Sequence, residues 1–132
     1  MNLQKFVLYA DDDSDDKDWV TEACNAVDAS LSLVFVENGR QVLDFLSQNN
    51  TAQLPSLIVL DLNMPELDGR QTLKKLKTHP VYKGIPVAIV TTSTNSIDRD
   101  VCKQLGASLF LTKPDTHLKW QDVIRNFMPF IA

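Results

Sequence analysis

Residues 57–69 read LIVLDLNMPELDG. Leu57, Ile58, Val59 and Leu60 are four apolar residues in a row, the pattern of a short strand buried on both faces, as in parallel sheets. Asp61 follows at once. Asn63, the Met64-Pro65 step and the Asp68-Gly69 pair are turn and helix-start residues. Asp61 is therefore expected at the carboxyl end of a central strand, where open α/β sheets place their ligands. The residues that face it decide the function.

Outward from this stretch the same grammar repeats. Residues 5–10, KFVLYA, read as strand one. Residues 14–27 read as helix one, with Ser14 or Asp15 as N-cap and Trp19, Val20, Ala23 and Val27 at helical spacing. Residues 31–36 read as strand two, and Asn38-Gly39 turns the chain into helix two, marked by Val42, Leu43 and Leu46. A polar loop over 47–55 ends in Pro55 and leads to strand three, residues 57–60. Asp68 is placed to cap helix three, with Leu73 and Leu76 inward and His79-Pro80 helping to close it. Lys83-Gly84 makes a turn, and residues 86–90, PVAIV, read as strand four. Ile97, Val101 and Leu105 stand four apart on helix four, which Gly106 ends. Residues 109–111 read as strand five. Thr116 is placed to cap helix five, whose inner stripe is Trp120, Ile124 and Phe127 and whose end lies near Phe127.

Each strand-to-strand connection carries a helix, which a parallel sheet requires. The expected fold is a doubly wound α/β domain: a five-stranded parallel sheet with helices on both faces. Pattern alone leaves the strand order open, with 2-1-3-4-5 the commoner arrangement.

With 132 residues the chain is long enough for one domain and one good core. It is 44% apolar and 23% charged, like an ordinary globular protein, and its net charge of −4 argues against bulk nucleic-acid binding. No apolar run is long enough to span a bilayer, and MNLQKFVLYADDD has no signal-peptide pattern. Cys24 and Cys102 stand far apart without metal-ligand spacing, so both read as core-side helix residues in a reduced, cytoplasmic protein. His79 and His117 read as surface or cap residues, and Lys74, Lys75 and Lys77 as a solvated helix face.

In a parallel sheet all carboxyl ends share one edge. Strand one delivers Asp11, Asp12 and Asp13 there, strand three Asp61, strand four Thr91 and Thr92, and strand five Thr112, Lys113 and Pro114. Carboxylates so close repel and raise one another's pKa unless a cation joins them. Oxygen-only donors suit a hard ion, with magnesium the natural candidate. A magnesium site beside an ammonium and a hydroxyl is complementary to a phosphoryl group, and a carboxylate there can become an aspartyl phosphate. Asp61, alone at the end of the central strand, is the best nucleophile. Asp15, Asp16 and Asp18 read as acids favoured by the helix dipole.

The chain resembles the receiver domain of two-component response regulators over nearly its full length. ADDDSDD resembles the family's acidic pair after strand one, DLNMPELDG its phosphoacceptor loop and LTKP its lysine–proline turn, and Asp61, Thr91 and Lys113 stand at the family's intervals. The resemblance implies that Asp61 is the phosphoacceptor. Asp12 would be a direct magnesium ligand, Asp11 a ligand through water, and the Asn63 carbonyl a third protein ligand. Thr91 would bond a phosphoryl oxygen and move on activation, and Lys113 would pair with the phosphoryl group. The Lys113–Pro114 peptide would be cis, and the backbone N–H groups of Leu62 and Thr92 would complete the phosphoryl cradle. Asp13 falls at a variable position and receives no role.

Phe110 stands where the family often has a switching aromatic, commonly tyrosine. Alternation puts it opposite Leu109 and Leu111. The resemblance implies that Asn63 and Ser93 tune the rate at which the phosphoryl group is lost.

The implied function is a stand-alone response regulator, residues 1–132 forming one receiver domain without an output domain. It would accept phosphate from a sensor histidine kinase or phosphotransfer protein and present helix four, strand five and helix five to a downstream protein. It would lose its own phosphoryl group slowly and turn over no external substrate. Met128, Phe130 and Ile131, expected just past the last helix, suggest a phosphorylation-sensitive homodimer or local packing. A flavodoxin would need a hydroxyl- and amide-rich first loop in place of DDDSDD, and a Rossmann protein a glycine cluster there. A phosphatase of this chemistry would carry an aspartate at Asn63. A non-phosphorylated interaction scaffold is the alternative, against which the intact Asp11, Asp12, Asp61, Thr91 and Lys113 argue.

Overall fold

A computed structural model describes residues 5–48 and 53–131. The expected loop over 47–55 lies partly outside them, as do the start of the N-terminal stretch and Ala132.

Five strands and five helices alternate: β1 (Phe6–Ala10), α1 (Ser14–Val27), β2 (Ser32–Val36), α2 (Gly39–Gln48), β3 (Leu57–Leu60), α3 (Gly69–Thr78), β4 (Val87–Thr91), α4 (Ser96–Leu105), β5 (Leu109–Thr112) and α5 (Trp120–Ile131). The strands pair in parallel in the order β2-β1-β3-β4-β5. The expected doubly wound α/β sheet is therefore the observed one, with the flavodoxin-like strand order.

The apolar run of β3 explains the layering. Leu57 and Val59 face one side, Ile58 and Leu60 the other, and all four are fully buried. The first side packs under α1 and α5 through Val20, Trp120, Ile124 and Phe127. The second packs under α2, α3 and α4 through Val42, Leu46, Leu73, Leu76 and Cys102. Strand parity thus assigns the buried apolar residues of the central strands to one of two cores.

Helix starts follow side-chain chemistry. Asp68 accepts from the Gln71 N–H and Gln71 answers to the Asp68 N–H, a complete capping box on α3. The cap of α1 is Asp13, one residue before the expected Ser14, and its carboxylate accepts from the N–H groups of Asp15 and Asp16. Asn95 caps α4, and Gly106 ends it at φ 109°, a left-handed value that glycine adopts without a side-chain clash.

Several expectations fail for local reasons. Ile97 is 68% exposed, and α4 turns Cys102 inward instead. Trp19 is likewise exposed. Thr116 makes no side-chain cap, because a 3-10 turn over His117–Lys119 precedes α5. That helix continues past Phe127 and through Pro129 to Ile131. Burial of Ile131 extends the stripe of Ile124 and Phe127, which outweighs the one backbone bond that proline removes. Met128, Phe130 and Ile131 are therefore helical residues packed on the first core. Lys74 and Lys75 are solvated as expected, but Lys77 donates to the carbonyls of Ile85 (2.8 Å) and Lys83 (3.2 Å).

Gly69 links fold to site. Its N–H donates to the Leu62 carbonyl at 3.2 Å, and a Cβ there would overlap the carbonyl oxygen of Asp61. Gly69→Ala is expected to lower stability by about 1–3 kcal/mol, measured as an urea midpoint, because backbone and not a flexible side chain must give way. An unchanged midpoint would mean that α3 does not press on the strand end. Both cysteines are buried, and burial, then Asp28, pushes the Cys24 thiol up to about 12. Ellman's reagent at neutral pH is expected to label neither thiol in the native protein and both after unfolding in denaturant. Prompt native labelling would contradict this packing.

Candidate functional site

The carboxyl edge of the sheet is built by hydrogen bonds that continue the ladder one residue past the strands. Asp11 N–H donates to the Val36 carbonyl (3.0 Å), Asp61 N–H to Ala10 (3.3 Å) and Lys113 N–H to Thr91 (2.7 Å). These bonds fix where each side chain leaves the backbone. Parity then sorts them. Asp11, Asp61 and Lys113 follow Tyr9, Val59 and Leu111 on the α1/α5 side, while Thr91 follows Val87 and Ile89 on the α3/α4 side. Thr91 and Thr112, expected just after their strands, are instead the paired last residues of β4 and β5.

One local device recurs at three of these ends. The side-chain oxygen of residue i accepts the N–H of residue i+2: Asp11 from Asp13 (2.9 Å), Asp61 from Asn63 (3.2 Å) and Thr91 from Ser93 (3.4 Å). Such turns hold one oxygen of each side chain at its own loop. For the two aspartates the other oxygen is left to face Lys113.

The Lys113 ammonium lies 2.6 Å from Asp16, 2.9 Å from Asp61 and 3.0 Å from Asp11, and all four side chains are at most 10% exposed. The contact to Asp16 has hydrogen-bond geometry as well. Among the described residues, Asp11 Oδ2 is buried without a hydrogen-bond partner, in ion-pair contact with Lys113 only. Burial works against the charged ammonium, yet the carboxylates of Asp16, Asp61 and Asp11 outweigh it and hold the Lys113 pKa above an ordinary lysine's. Burial pushes the Asp11 carboxyl up from its usual range, against the Asp13 N–H and Lys113, which lower it. Tyr9 lies beneath this cluster. Its buried hydroxyl has no hydrogen-bond partner, and burial, then Asp11, Asp16 and Asp61, raises its pKa well above a phenol's.

The expected residues do not all converge. Asp11, Asp61 and Lys113 meet, while Asp12 and Thr92 are exposed at the rim and Asn63 is exposed on its loop. Leu62 is buried behind Asp61, in the second core. No peptide bond among the described residues is cis, so Lys113–Pro114 is trans, the form favoured even before proline, and not the cis form expected. Asp16 is the residue that helix-dipole reasoning missed. No local pattern distinguished it from the other acids of the helix start, since its partner lies 97 residues away.

Thr91 is fully buried. Beyond it, Ser93 Oγ donates to Asp98 on α4 (2.8 Å), and Asp98 pairs with Arg70 on α3 (2.6 Å). Hydrogen bonds from Arg70 and then Ser93 hold the Asp98 carboxyl below the usual range. Phe110 stands on the same face, half-buried, with the Arg99 guanidinium 5.4 Å from its ring centre. It lies opposite Leu109 and Leu111, as alternation requires.

Among the described residues no three His, Cys, Asp or Glu side chains form a ready metal cage. The donor chemistry nevertheless fits a hard cation. Asp11, Asp12, Asp61 and the Asn63 carbonyl offer oxygen alone, Asp11 Oδ2 lacks a hydrogen bond, and three carboxylates share one ammonium. An oxygen-coordinated ion would add the positive charge that this edge is short of. Chemically, the edge gathers a carboxylate nucleophile, Asp61, beside an ammonium, Lys113, and further oxygen donors.

Comparison with known proteins agrees. The profile of the response regulator receiver domain matches residues 7–124. Response regulator Rcp1 of Synechocystis is 34% identical over 115 residues, covering 85% of this chain and 78% of Rcp1. Response regulator Rre1 of the same organism is 28% identical over 86% of this chain but only 49% of its own length. The crystal structure of the phosphorylated cyanobacterial phytochrome response regulator RcpA superposes with a TM-score of 0.87 at 28% identity, covering 97% of this chain and 94% of that one. The Mn(2+)-bound form of Rcp1 gives 0.83 at 30% identity, covering 96% and 93%. With its sheet order, its edge of Asp11, Asp61, Thr91 and Lys113 and these likenesses together, the chain belongs to the response regulator receiver domain family of two-component signalling proteins.

Proposed function

We propose that this protein is a phosphorylation-driven response regulator in which Asp61 accepts a phosphoryl group from the phosphohistidine of a sensor histidine kinase or phosphotransfer protein. The observation that carries the reading is the Asp61 carboxylate, buried at the end of β3 and 2.9 Å from the Lys113 ammonium. An Asp61 oxygen forms the new O–P bond while the N–P bond of the donor breaks, and its electron pair stays on the imidazole. Lys113 takes up charge on the phosphoryl oxygens, and the Thr91 hydroxyl donates to one of them. The backbone N–H groups of Leu62 and Thr92 complete the cradle. Asp12, Asp61 and the Asn63 carbonyl would hold magnesium directly and Asp11 through water; the ion, when bound, neutralises phosphoryl charge. The Mn(2+)-bound state of Rcp1 and the phosphorylated state of RcpA support both halves of this assignment.

Movement of Thr91 toward the phosphoryl group pulls on Ser93, and through it on the Asp98–Arg70 pair, while Phe110 repacks beside Arg99. The readout face is then α4, β5 and α5, where a downstream protein or a second copy binds. The chain acts as a single receiver unit in the cytoplasm and turns over no external substrate. No helix among the described residues is long and apolar enough to cross a membrane.

Incubation with acetyl phosphate and magnesium is expected to add one phosphoryl group by intact mass. Asp61→Asn and magnesium-free samples should add none; a gain that survives Asp61→Asn would move the acceptor elsewhere. Lys113→Ala leaves buried carboxylates without their cation and should cost about 3–5 kcal/mol in the absence of metal. Millimolar magnesium should recover more of that stability in Lys113→Ala than it adds to wild type, in matched urea titrations. Equal magnesium effects on both proteins would separate the metal from this cluster.

A further inference from the structure

Asp16 belongs to neither the acidic pair nor the phosphoacceptor loop, yet it makes the shortest contact to Lys113. It is 7% exposed, and among the described residues its carboxylate has no other partner. The other two carboxylates are differently placed. Asp11 also accepts the Asp13 N–H and Asp61 the Asn63 N–H, bonds that do not involve Lys113. Neither backbone in the Asp16–Lys113 pair is free to follow the other. Asp16 sits in the first turn of α1 with its N–H on the Asp13 cap, and Lys113 N–H is tied to the Thr91 carbonyl. What can move is the four-carbon stem of Lys113.

We propose that Asp16 is a positioning residue that holds Lys113 in reserve: it takes the ammonium while Asp61 is free and yields it when a phosphoryl group arrives. The proposal rests on Asp61 being the phosphoacceptor. An ammonium has three N–H donors, and three carboxylates already surround this one. A phosphoryl group brings further acceptor oxygens and more negative charge to the Asp61 position, so one existing partner must give way. Asp16 is the partner with no place around the phosphoryl group or the metal. Its release leaves a nearly buried carboxylate unpaired, so Asp16 opposes phosphorylation and lowers the occupancy reached at a given donor concentration.

The test is a calorimetric titration of the full chain with beryllofluoride, which stands in for the bound phosphoryl group, at saturating magnesium, and a separate titration with magnesium alone. Asp16→Asn keeps the shape and removes the charge; it should bind beryllofluoride about ten-fold more tightly, with magnesium affinity within about two-fold of wild type. Asp18→Asn, which removes the same charge from an exposed position of α1, should change neither. In the wild-type protein the Asp16 carboxyl 13C resonance should move when beryllofluoride binds, a measurement that needs no variant. A stationary resonance, or equal beryllofluoride affinity in wild type and Asp16→Asn, overturns the inference and leaves the Asp61 assignment standing. A loss of magnesium affinity beyond about five-fold in Asp16→Asn would put Asp16 in the metal shell and also overturns it. Failure of wild type to bind beryllofluoride at all would remove the phosphoacceptor reading and this inference with it.

Discussion

A single ammonium, that of Lys113, stands between carboxylates delivered by three different parts of the chain: Asp11 after β1, Asp16 on α1 and Asp61 after β3. Each of these acids is nearly buried, and none would be tolerable there alone, since taking a carboxylate out of water costs several kcal/mol unless it is paired. Lys113 is equally dependent on them, because burial by itself would favour its neutral form. The pairing therefore couples β5 to β1, β3 and α1 across the sheet edge. It also fixes the sign of the site. Three carboxylates on one ammonium leave an excess of negative charge, and Asp12 at the rim adds to it. An excess of negative charge at such an edge favours cations over anions.

The two faces of the sheet divide the work. Asp11, Asp61 and Lys113 continue the parity of Tyr9, Val59 and Leu111, so the charged chemistry lies toward α1 and α5. Thr91 and Phe110 continue the parity of Ile89, so the residues proposed to move lie toward α4. Only at the edge, where the sheet ends, do the two sides come within reach of one bound group. The β4–α4 loop is the bridge, and it is braced: Ser93 bonds Asp98, and Asp98 is held by Arg70 from the neighbouring helix. A displacement of Thr91 cannot be absorbed by a slack loop. It must be passed to α4 or resisted by that brace, a physical basis for two arrangements instead of a continuum.

Much of this was legible in the residues because apolar pattern and strand parity act locally. LIVL reads as a strand buried on both sides, and β3 spans those four residues. Asp68 read as the cap of helix three and is the cap observed, with Gln71 completing the box. What was not legible depends on partners distant in sequence. Asp13, Ser14 and Asp15 are all good N-caps, and the choice of Asp13 follows from where β1 releases the chain. Helix five read as ending near Phe127, but the pocket that takes Ile131 belongs to the first core, formed by other elements. Ile97 completed a helical stripe on paper and points to solvent, since α4 covers the sheet's edge region with Cys102 instead. The loop after Asp61 was readable as a turn, whereas its left-handed residue, Glu66 at φ 64°, is neither glycine nor asparagine and gave no sign.

Asp16 illustrates the limit most clearly. In residues 11–18, DDDSDDKD, Asp13, Asp15, Asp16 and Asp18 all satisfy the same local preference for a helix start, so composition cannot rank them. Their fates differ because a helix turns through 100° per residue while the lysine that selects among them lies 97 positions away. Asp15 and Asp18 point to water, Asp13 folds back on its own N–H groups, and Asp16 alone of the helix acids meets Lys113. The dipole explains why an aspartate is welcome at that position. It does not explain why the side chain should be nearly buried, and burial of a charge is the costlier property. The residue whose local rationale falls furthest short of its burial is the one whose partner, across the fold, matters most to its role.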